Sequence, residues 1–172
     1  DAAEPMGGLL YGVTGSGKTA VFLHVIRHVL TVGKGVIVTV PEISLTPQTL
    51  AVFTAAFGDT VAVFHSGLSV GERMDEWKRV RTGRAKIVVG TRSAVFAPVQ
   101  NLGLIVMDEE QESTYKSEST PRYHARDIAK FRVNYNRAYC LLCSATPSVE
   151  SYYMAQSGKY RYHALPPRHG AG

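Results

Sequence analysis

The sequence predicts an α/β domain in which a mostly parallel sheet lies between two layers of helices. Short apolar runs rich in β-branched residues alternate with longer amphipathic segments, the pattern of strands that are each followed by a helix. The apolar runs are hydrophobic on both faces, as in a parallel sheet that is covered on both sides. The 172 residues match the length of one domain. We therefore expect a single three-layer unit.

Seven apolar runs are predicted as strands, and five amphipathic segments as helices. The predicted strands are residues 8–11, 36–40, 61–65, 87–90, 104–108, 138–144 and 160–164. The predicted helices are residues 18–30, 45–57, 70–81, 124–134 and 149–156. Gly33, Gly58 and Gly83 each follow a predicted helix, at the position where glycine commonly ends one. Residues 1–165 are predicted to form the folded lobe, and residues 166–172 to begin a connector to a lobe that this sequence does not include.

Composition narrows the class of protein. The chain has 19 basic and 14 acidic residues, a net charge of +5 that favours an anionic partner without naming it. No apolar stretch approaches the roughly 20 residues of a membrane-spanning helix, so we expect no membrane partner and a cytoplasmic location. Cys140 and Cys143 form a C-x-x-C pair, but residues three apart on a strand point to opposite faces, which favours packing over a zinc site.

Residues 12–19, GVTGSGKT, match the phosphate-loop pattern G-x-x-x-x-G-K-[ST] between a predicted strand and a predicted helix. Glycines let backbone N–H groups curl around phosphates, and the helix that follows presents its positive end to the same anions. Lys18 is expected to contact the β- and γ-phosphates and Thr19 to bind Mg²⁺. The predicted nucleotide-binding residues of this loop are Gly12, Thr14, Gly15, Ser16, Gly17, Lys18 and Thr19.

An acidic turn follows the fifth predicted strand, at the edge of the sheet where ligands bind in open α/β folds. Asp108 is expected to hold Mg²⁺ through water, and Glu109 to orient and deprotonate an attacking water. Gln111 is placed to sense the γ-phosphate. The alternative is an acidic surface turn without chemistry. An Asn-Lys-x-Asp segment for guanine is missing, so the pattern does not favour GTP.

Polar residues after the other strands form a candidate nucleic-acid surface. Hydroxyl, backbone N–H and arginine groups at this edge can contact phosphodiesters without reading bases. The candidates are Thr46, Gln48, His65, Thr91 and Arg92. Ordinary strand-to-helix loops are the alternative for each of them. A basic run between Arg122 and Arg137 is equally a solvated helix face or a DNA contact, and Phe53 and Trp77 are expected to pack helices onto the sheet.

Six segments, in this order, resemble superfamily 2 helicases, and within them the primosomal protein N′ (PriA) family. They are GVTGSGKT, VPEISLTPQ, HSGLSVGER, GTRSAVFAP, MDEEQ and SATPS, and they cover nearly the whole chain. The stretch from Glu112 through PRYHARD to Ile128 also looks like that family. The resemblance implies the first RecA-like motor lobe, a P-loop NTPase fold, of an ATP- and Mg²⁺-dependent DNA helicase.

The family would supply further functions and partners. The resemblance implies 3′ to 5′ translocation on single-stranded and forked DNA at stalled replication forks, with replication-restart proteins and single-strand-binding protein as partners. It also implies that Ser144 and Thr146 couple the phosphate site to the nucleic-acid groove, and their hydroxyls are expected to bond the turn from Asp108 to Gln111. An aromatic-rich loop would contact DNA through Tyr115, Lys116 and Arg122, although packing of its tyrosines onto the domain is an open alternative.

One residue differs from the pattern of the family, and these 172 residues do not include all the domains that the family has. Gln111 stands where the family usually has histidine, which puts the strength of coupling in doubt but not metal binding. Zinc is expected only in a cysteine cluster that these residues do not include. A second lobe with arginine fingers would also be needed, so little ATP hydrolysis is expected of these 172 residues alone.

Three other functions stay open at this stage. One is the motor lobe of another superfamily 2 translocase, of the fork-reversal or restriction type. Another is a small-molecule P-loop kinase, disfavoured because Glu109 suits water activation and no arginine-rich lid follows. The third is a non-catalytic module that binds DNA or a protein partner through its basic surface.

Overall fold

The computed structural model describes residues 6–13 and 17–166, and in them it forms the expected alternation of strands and helices. The strands are β1 Gly7–Tyr11, β2 Gly35–Thr39, β3 Val61–Phe64, β4 Ile87–Gly90, β5 Leu102–Met107, β6 Tyr139–Ser144 and β7 Arg161–Ala164. The α-helices are α1 Lys18–Thr31, α2 Pro47–Phe57, α3 Val70–Arg81, α4 Ala125–Asn136 and α5 Val149–Gln156. Every predicted element is present, with bounds that differ by at most two residues.

The first turn of α2 shows why predicted helix bounds shift. A helix was expected from residue 45, but α2 begins at Pro47 because Thr46 caps it, with its hydroxyl oxygen accepting the backbone N–H of Thr49 at 3.2 Å. A threonine cap followed by proline in the first turn is a favourable start for a helix. Leu45 instead ends a short 3₁₀ turn over Glu42–Ser44.

The seven strands form one sheet in the order β3-β4-β2-β5-β6-β1-β7. All six neighbouring pairs are parallel, so the carboxyl ends of the strands meet at one edge of the sheet. This order divides that edge into two halves. The ends of β5, β6 and β1 lie together on one side, and those of β2, β4 and β3 lie on the other.

Two hydrophobic layers, one on each face of the sheet, form the core and confirm the three-layer prediction. On one face, Phe22 and Ile26 of α1 and Phe53 of α2 pack against the strands. On the other, Val80 of α3 and Val133 of α4 do so. Within the described residues, no helix has the length and apolar character needed to cross a membrane.

The two cysteines of β6 are buried in different layers of this core. Cys140 packs on the face of α3 and α4, and Cys143 on the face of α1 and α2. Burial raises the pKa of Cys140 to about 12 and that of Cys143 well above its usual range, so both thiols stay neutral at physiological pH. The structure therefore supports the interpretation of both as packing residues.

The expected packing of Phe53 is confirmed, but that of Trp77 is wrong. Phe53 is 3% exposed, whereas Trp77 is 42% exposed on α3. On that helix Val80 takes the buried position instead. The indole therefore lies at the surface of the domain, beside the carboxyl edge of the sheet.

Candidate nucleotide site and nucleic-acid interface

The phosphate loop leaves β1 at the carboxyl edge of the sheet and enters α1. The backbone N–H of Gly12 donates to the carbonyl of Ser144 at 3.2 Å, which ties the start of the loop to the end of β6. Gly17 precedes the helix with a φ of 94°, a conformation that favours glycine. Lys18 is half-buried in the first turn and Thr19 is exposed. The predicted contacts of Thr14, Gly15 and Ser16 lie outside the described residues.

Asp108 follows β5 directly and lies near Lys18. Its backbone N–H donates to the carbonyl of Thr39 at 2.9 Å, and its Oδ1 accepts the N–H of Glu109 at 2.9 Å. Burial raises the pKa of Asp108, while the nearby ammonium of Lys18 acts in the opposite direction. The two segments therefore share one site.

These residues fit a magnesium nucleotide. The first turn of α1 contains no acidic residue, so the positive end of that helix is free to face phosphates. A half-buried carboxylate such as that of Asp108 and a threonine hydroxyl are hard oxygen ligands of the kind that Mg²⁺ prefers. Lys18 and Thr19 would hold the nucleotide and its metal from α1, and Asp108 would do so from β5.

Glu109 and Gln111 lie in the turn that follows. Glu109 is half-buried and adopts a left-handed backbone with φ of 46°. The side-chain oxygen Oε1 of Gln111 accepts a 2.6 Å hydrogen bond from the hydroxyl of Ser144, which is fully buried. The same hydroxyl oxygen accepts the backbone N–H of Thr146 at 2.9 Å. The expected bond between the SATPS segment and the acidic turn is thus confirmed for Ser144, whereas Thr146 is exposed and contributes its backbone.

Glu110, between those two residues, was missed by the sequence analysis. Its side chain is fully buried and accepts hydrogen bonds from Arg126 Nη1 at 2.6 Å, Ser148 N at 2.7 Å, Ser148 Oγ at 3.0 Å and Ser151 Oγ at 2.9 Å. Ser148 caps α5, so one carboxylate joins the acidic turn to α4 and α5. In the sequence, Glu110 is visible only as the second glutamate of MDEEQ. It lies in a turn, so the periodicity of helices and strands does not predict whether its side chain is buried.

The loop of residues 111–124 joins β5 to α4 and contains three predicted DNA contacts. Base stacking on Tyr115 is wrong, because its ring is 1% exposed and its hydroxyl donates to the carbonyl of Asp108 at 2.6 Å. A buried ring leaves no face for a base. The alternative for this tyrosine is correct: Tyr115 packs into the core of the domain. Lys116 and Arg122 are exposed.

The remaining candidate DNA contacts lie along the β2, β4 and β3 half of the carboxyl edge. Thr46 caps α2, and Gln48 lies in its first turn, where it is exposed. His65 follows β3, and its Nδ1 accepts the N–H of Gly67 at 3.0 Å. Thr91 follows β4 and is 8% exposed. Arg92 comes next, and its Nη1 donates to the carbonyls of Thr114 and Lys116, both at 3.0 Å.

Within the GTRSAVFAP segment, the close approach of β3 requires a glycine. A β-carbon on Gly90 would lie 2.4 Å from the carbonyl oxygen of Phe64 and 2.9 Å from the β-carbon of Ala94. The tight fit brings the 3₁₀ helix Arg92–Phe96 against the sheet. From the other side, Arg132 Nη1 donates to the carbonyls of Val95 and Ala97 at 2.8 and 2.7 Å. Part of the basic run on α4 is therefore structural.

A family model described as DEAD/DEAH box helicase matches residues 6–155. The chain belongs to this family. It is also 53% identical over 160 residues to Replication restart protein PriA of Bacillus subtilis, and 49% identical over 162 residues to the protein of the same name from Synechocystis sp.. These matches cover 93% and 94% of the chain but only 20% and 19% of the relatives. The resemblance to PriA is confirmed, and the chain spans about one fifth of those proteins' length.

Solved helicase structures share the fold. The structure of RecG bound to a three-way DNA junction aligns over 98% of this chain and 22% of that one, with a TM-score of 0.69 and 24% identity. The helicase domain of Pyrococcus furiosus Hef aligns over 92% of this chain and 35% of that one, with a TM-score of 0.67 and 20% identity. The RecA-like helicase fold predicted from the sequence is thereby confirmed.

Proposed function

We propose that the chain is the first motor lobe of a PriA-type helicase, which couples ATP hydrolysis to 3′ to 5′ movement along single-stranded DNA during replication restart. One observation carries the proposal: the phosphate loop and the acidic turn are both tied to the end of β6, through the backbone N–H of Gly12 to the carbonyl of Ser144 at 3.2 Å and that of Glu110 to the carbonyl of Cys143 at 3.1 Å. Lys18 and Asp108 therefore belong to one end of a parallel sheet. That arrangement suits a magnesium nucleotide. The identity to PriA proteins supports DNA as the other substrate.

The residues have distinct functions in this proposal. Residues 12–19 surround the phosphates, and Lys18 neutralises charge on the β- and γ-phosphates. Thr19 would supply an oxygen ligand for Mg²⁺ and Asp108 would hold the ion through water; when bound, Mg²⁺ supplies Lewis-acid stabilisation of the phosphate charge. Glu109 orients the attacking water and accepts its proton. Gln111, through Ser144, connects this turn to the SATPS segment.

The second half of the carboxyl edge would hold the DNA strand. Thr46, Gln48, His65, Thr91, Lys116 and Arg122 remain its candidate contacts. Arg92 is different, because its Nη1 already donates to two carbonyls of the 111–124 loop, so we assign it to positioning that loop. The family resemblance extends the proposal to forked DNA, replication-restart proteins, single-strand-binding protein and a cytoplasmic location.

ATP hydrolysis by the full-length protein tests the proposal. We expect single-stranded and forked DNA to stimulate the parent, and Glu109→Gln to lower the hydrolysis rate by about 100-fold or more while nucleotide binding persists. Glu150→Gln makes the same chemical change at a carboxylate whose side chain is 70% exposed, and should leave the rate unchanged. Hydrolysis that ignores DNA, or that survives in Glu109→Gln, would contradict the proposal.

A further inference from the structure

Two exposed aromatic side chains face a cavity of about 680 Å³ beside the carboxyl edge. Trp77, from α3, is 42% exposed, and Phe96, from the 3₁₀ helix Arg92–Phe96, is 46% exposed. Single exposed hydrophobic residues are common on protein surfaces, but aromatic side chains that together line a concave surface are typical of binding sites. The volume lies within the roughly 300 to 1,000 Å³ of ligand pockets.

The cavity is separate from the nucleotide site. It is lined by residues that follow β2, β3 and β4, together with α3 and the 111–124 loop, including Pro41, His65 and Thr91. Lys18 begins α1, after β1, and Asp108 follows β5; β6 lies between these two strands, in the other half of the carboxyl edge. A ligand in this cavity would therefore be a second molecule, distinct from the nucleotide that is hydrolysed.

The cavity walls combine aromatic surface with positive charge. Arg73, Arg92 and Lys116 line it, against the carboxylates of Glu42 and Glu118. Arg73 and Lys116 are exposed, so their charges are accessible to an anionic ligand. Aromatic faces beside cations are the combination that binds single-stranded nucleic acid, because bases stack on the rings while the cations attract the backbone.

Phe96 is held in place before any ligand arrives. Its ring meets that of Tyr123 edge-on, with centroids 5.0 Å apart. Tyr123 is held in turn by Arg92, whose guanidinium lies over the Tyr123 ring at 5.9 Å from its centroid. Arg92 also donates to the carbonyls of Thr114 and Lys116. A fixed ring loses little conformational entropy on binding, which favours stacking.

We propose that this cavity binds an unpaired base of single-stranded DNA, stacked against Trp77 and Phe96 with its phosphates near Arg73 and Lys116. The inference rests on the proposed function and deepens it, since it gives the lobe a contact with a base as well as with the backbone. The contact is indifferent to sequence, because every base has a face that can stack.

Trp77 is the only tryptophan of the 172 residues, so its fluorescence reports on this cavity alone. The experiment titrates the chain with dye-labelled oligothymidine and with an abasic oligonucleotide of the same length, and follows both dye anisotropy and tryptophan emission. We expect oligothymidine to quench Trp77 over the same concentrations at which anisotropy rises. The abasic oligonucleotide retains the phosphates but has no base, and should bind more weakly without quenching.

Variants make the test specific. Phe96→Ala should weaken oligothymidine binding by roughly 5- to 150-fold and leave abasic binding unchanged. Trp77→Leu, followed by anisotropy, should behave in the same way. Phe131→Ala is the matched control, because Phe131 is also an exposed phenylalanine, 68% exposed, but lies on α4 outside the cavity lining. Circular dichroism checks that each variant is folded.

The outcomes separate the inference from the proposed function. If oligothymidine binds without quenching Trp77, or if Phe96→Ala weakens both oligonucleotides equally, the base pocket is wrong while DNA binding by the lobe stands. If anisotropy detects no binding of either oligonucleotide at millimolar concentration, both the pocket and DNA binding by this lobe are overturned.

Discussion

The hydroxyl of Tyr115 donates a 2.6 Å hydrogen bond to the carbonyl oxygen of Asp108. This bond joins the 111–124 loop to the residue that we expect to hold magnesium. Burial raises the pKa of Tyr115 well above its usual range, so the hydroxyl stays protonated and remains a donor at physiological pH. Arg92 holds the same loop from the opposite half of the carboxyl edge. The loop is therefore in contact with both candidate sites.

Tyr115→Phe should weaken the coupling between DNA and ATP hydrolysis. The ring is kept and only the hydroxyl is lost, so the free energy of unfolding should fall by about 1 kcal/mol. In the full-length protein we expect DNA-stimulated hydrolysis to fall several-fold and the rate without DNA to change less. Tyr153→Phe removes the hydroxyl of an exposed tyrosine and serves as the control. Equal loss of both rates would mean that the bond supports the nucleotide site without transmitting DNA binding.

The fold and the nucleotide site could be predicted from the sequence because their signals are local. Alternation of apolar runs with amphipathic segments is visible in any short window, and GVTGSGKT is a single continuous stretch. The acidic turn was found because a strand ends directly before it. A bond between the SATPS hydroxyls and the turn from Asp108 to Gln111 was also expected, because both segments follow strands whose ends a parallel sheet brings to one edge. The structure forms it between Ser144 and Gln111.

The remaining features depend on distant contacts that no local pattern contains. Glu110 and Glu109 look alike in sequence, yet one is fully buried and the other only half-buried. Burial of Glu110 is possible only because Arg126, 16 residues later, is its partner. Tyr115 was expected to stack on a base, but its loop turns so that the ring is buried and its hydroxyl contacts Asp108. Trp77 was expected in the core because it is hydrophobic. Hydrophobicity alone, however, does not show which side of α3 meets the sheet.

Arg92→Ala should release the 111–124 loop. Nη1 of Arg92 makes 3.0 Å hydrogen bonds to the carbonyls of Thr114 and Lys116, and the substitution removes both. We expect trypsin to cleave after Lys116 several-fold faster in the variant, because proteolysis follows local opening. Arg84→Ala removes an exposed arginine elsewhere and is the control. An unchanged cleavage rate would show that the loop is held by other contacts, and Arg92 would return to the candidate DNA contacts.

Two glutamates that approach the same arginine should differ sharply in their effect on stability. Arg126 lies 2.6 Å from the fully buried Glu110 and 3.9 Å from Glu150, whose side chain is 70% exposed. Glu110→Gln leaves a mostly buried guanidinium without its charged partner and should cost about 3 kcal/mol of unfolding free energy. Glu150→Gln should change it by less than about 0.5 kcal/mol. Urea unfolding of the 172-residue chain measures both, and similar losses would contradict the assignment of Glu110 as the anchor.

The stability of the domain should fall between pH 7.5 and pH 5.5, partly through His124. This residue caps α4, where its Nδ1 accepts the backbone N–H of Arg126 at 3.1 Å. Burial lowers the pKa of His124 and the charge of Arg126 lowers it further, against the opposing effect of Asp127, Glu110 and Glu150.

The sign of this dependence follows from the direction of the shift. Because the unfolded chain binds a proton more readily than the native one, the stabilisation is complete above the unfolded pKa of about 6.5 and is lost as the pH falls through the folded value. His124→Asn keeps a side-chain acceptor for the cap but cannot titrate. Urea unfolding at the two pH values should therefore show a smaller drop in stability for the variant than for the parent. An equal drop in both proteins would assign the pH dependence to other groups.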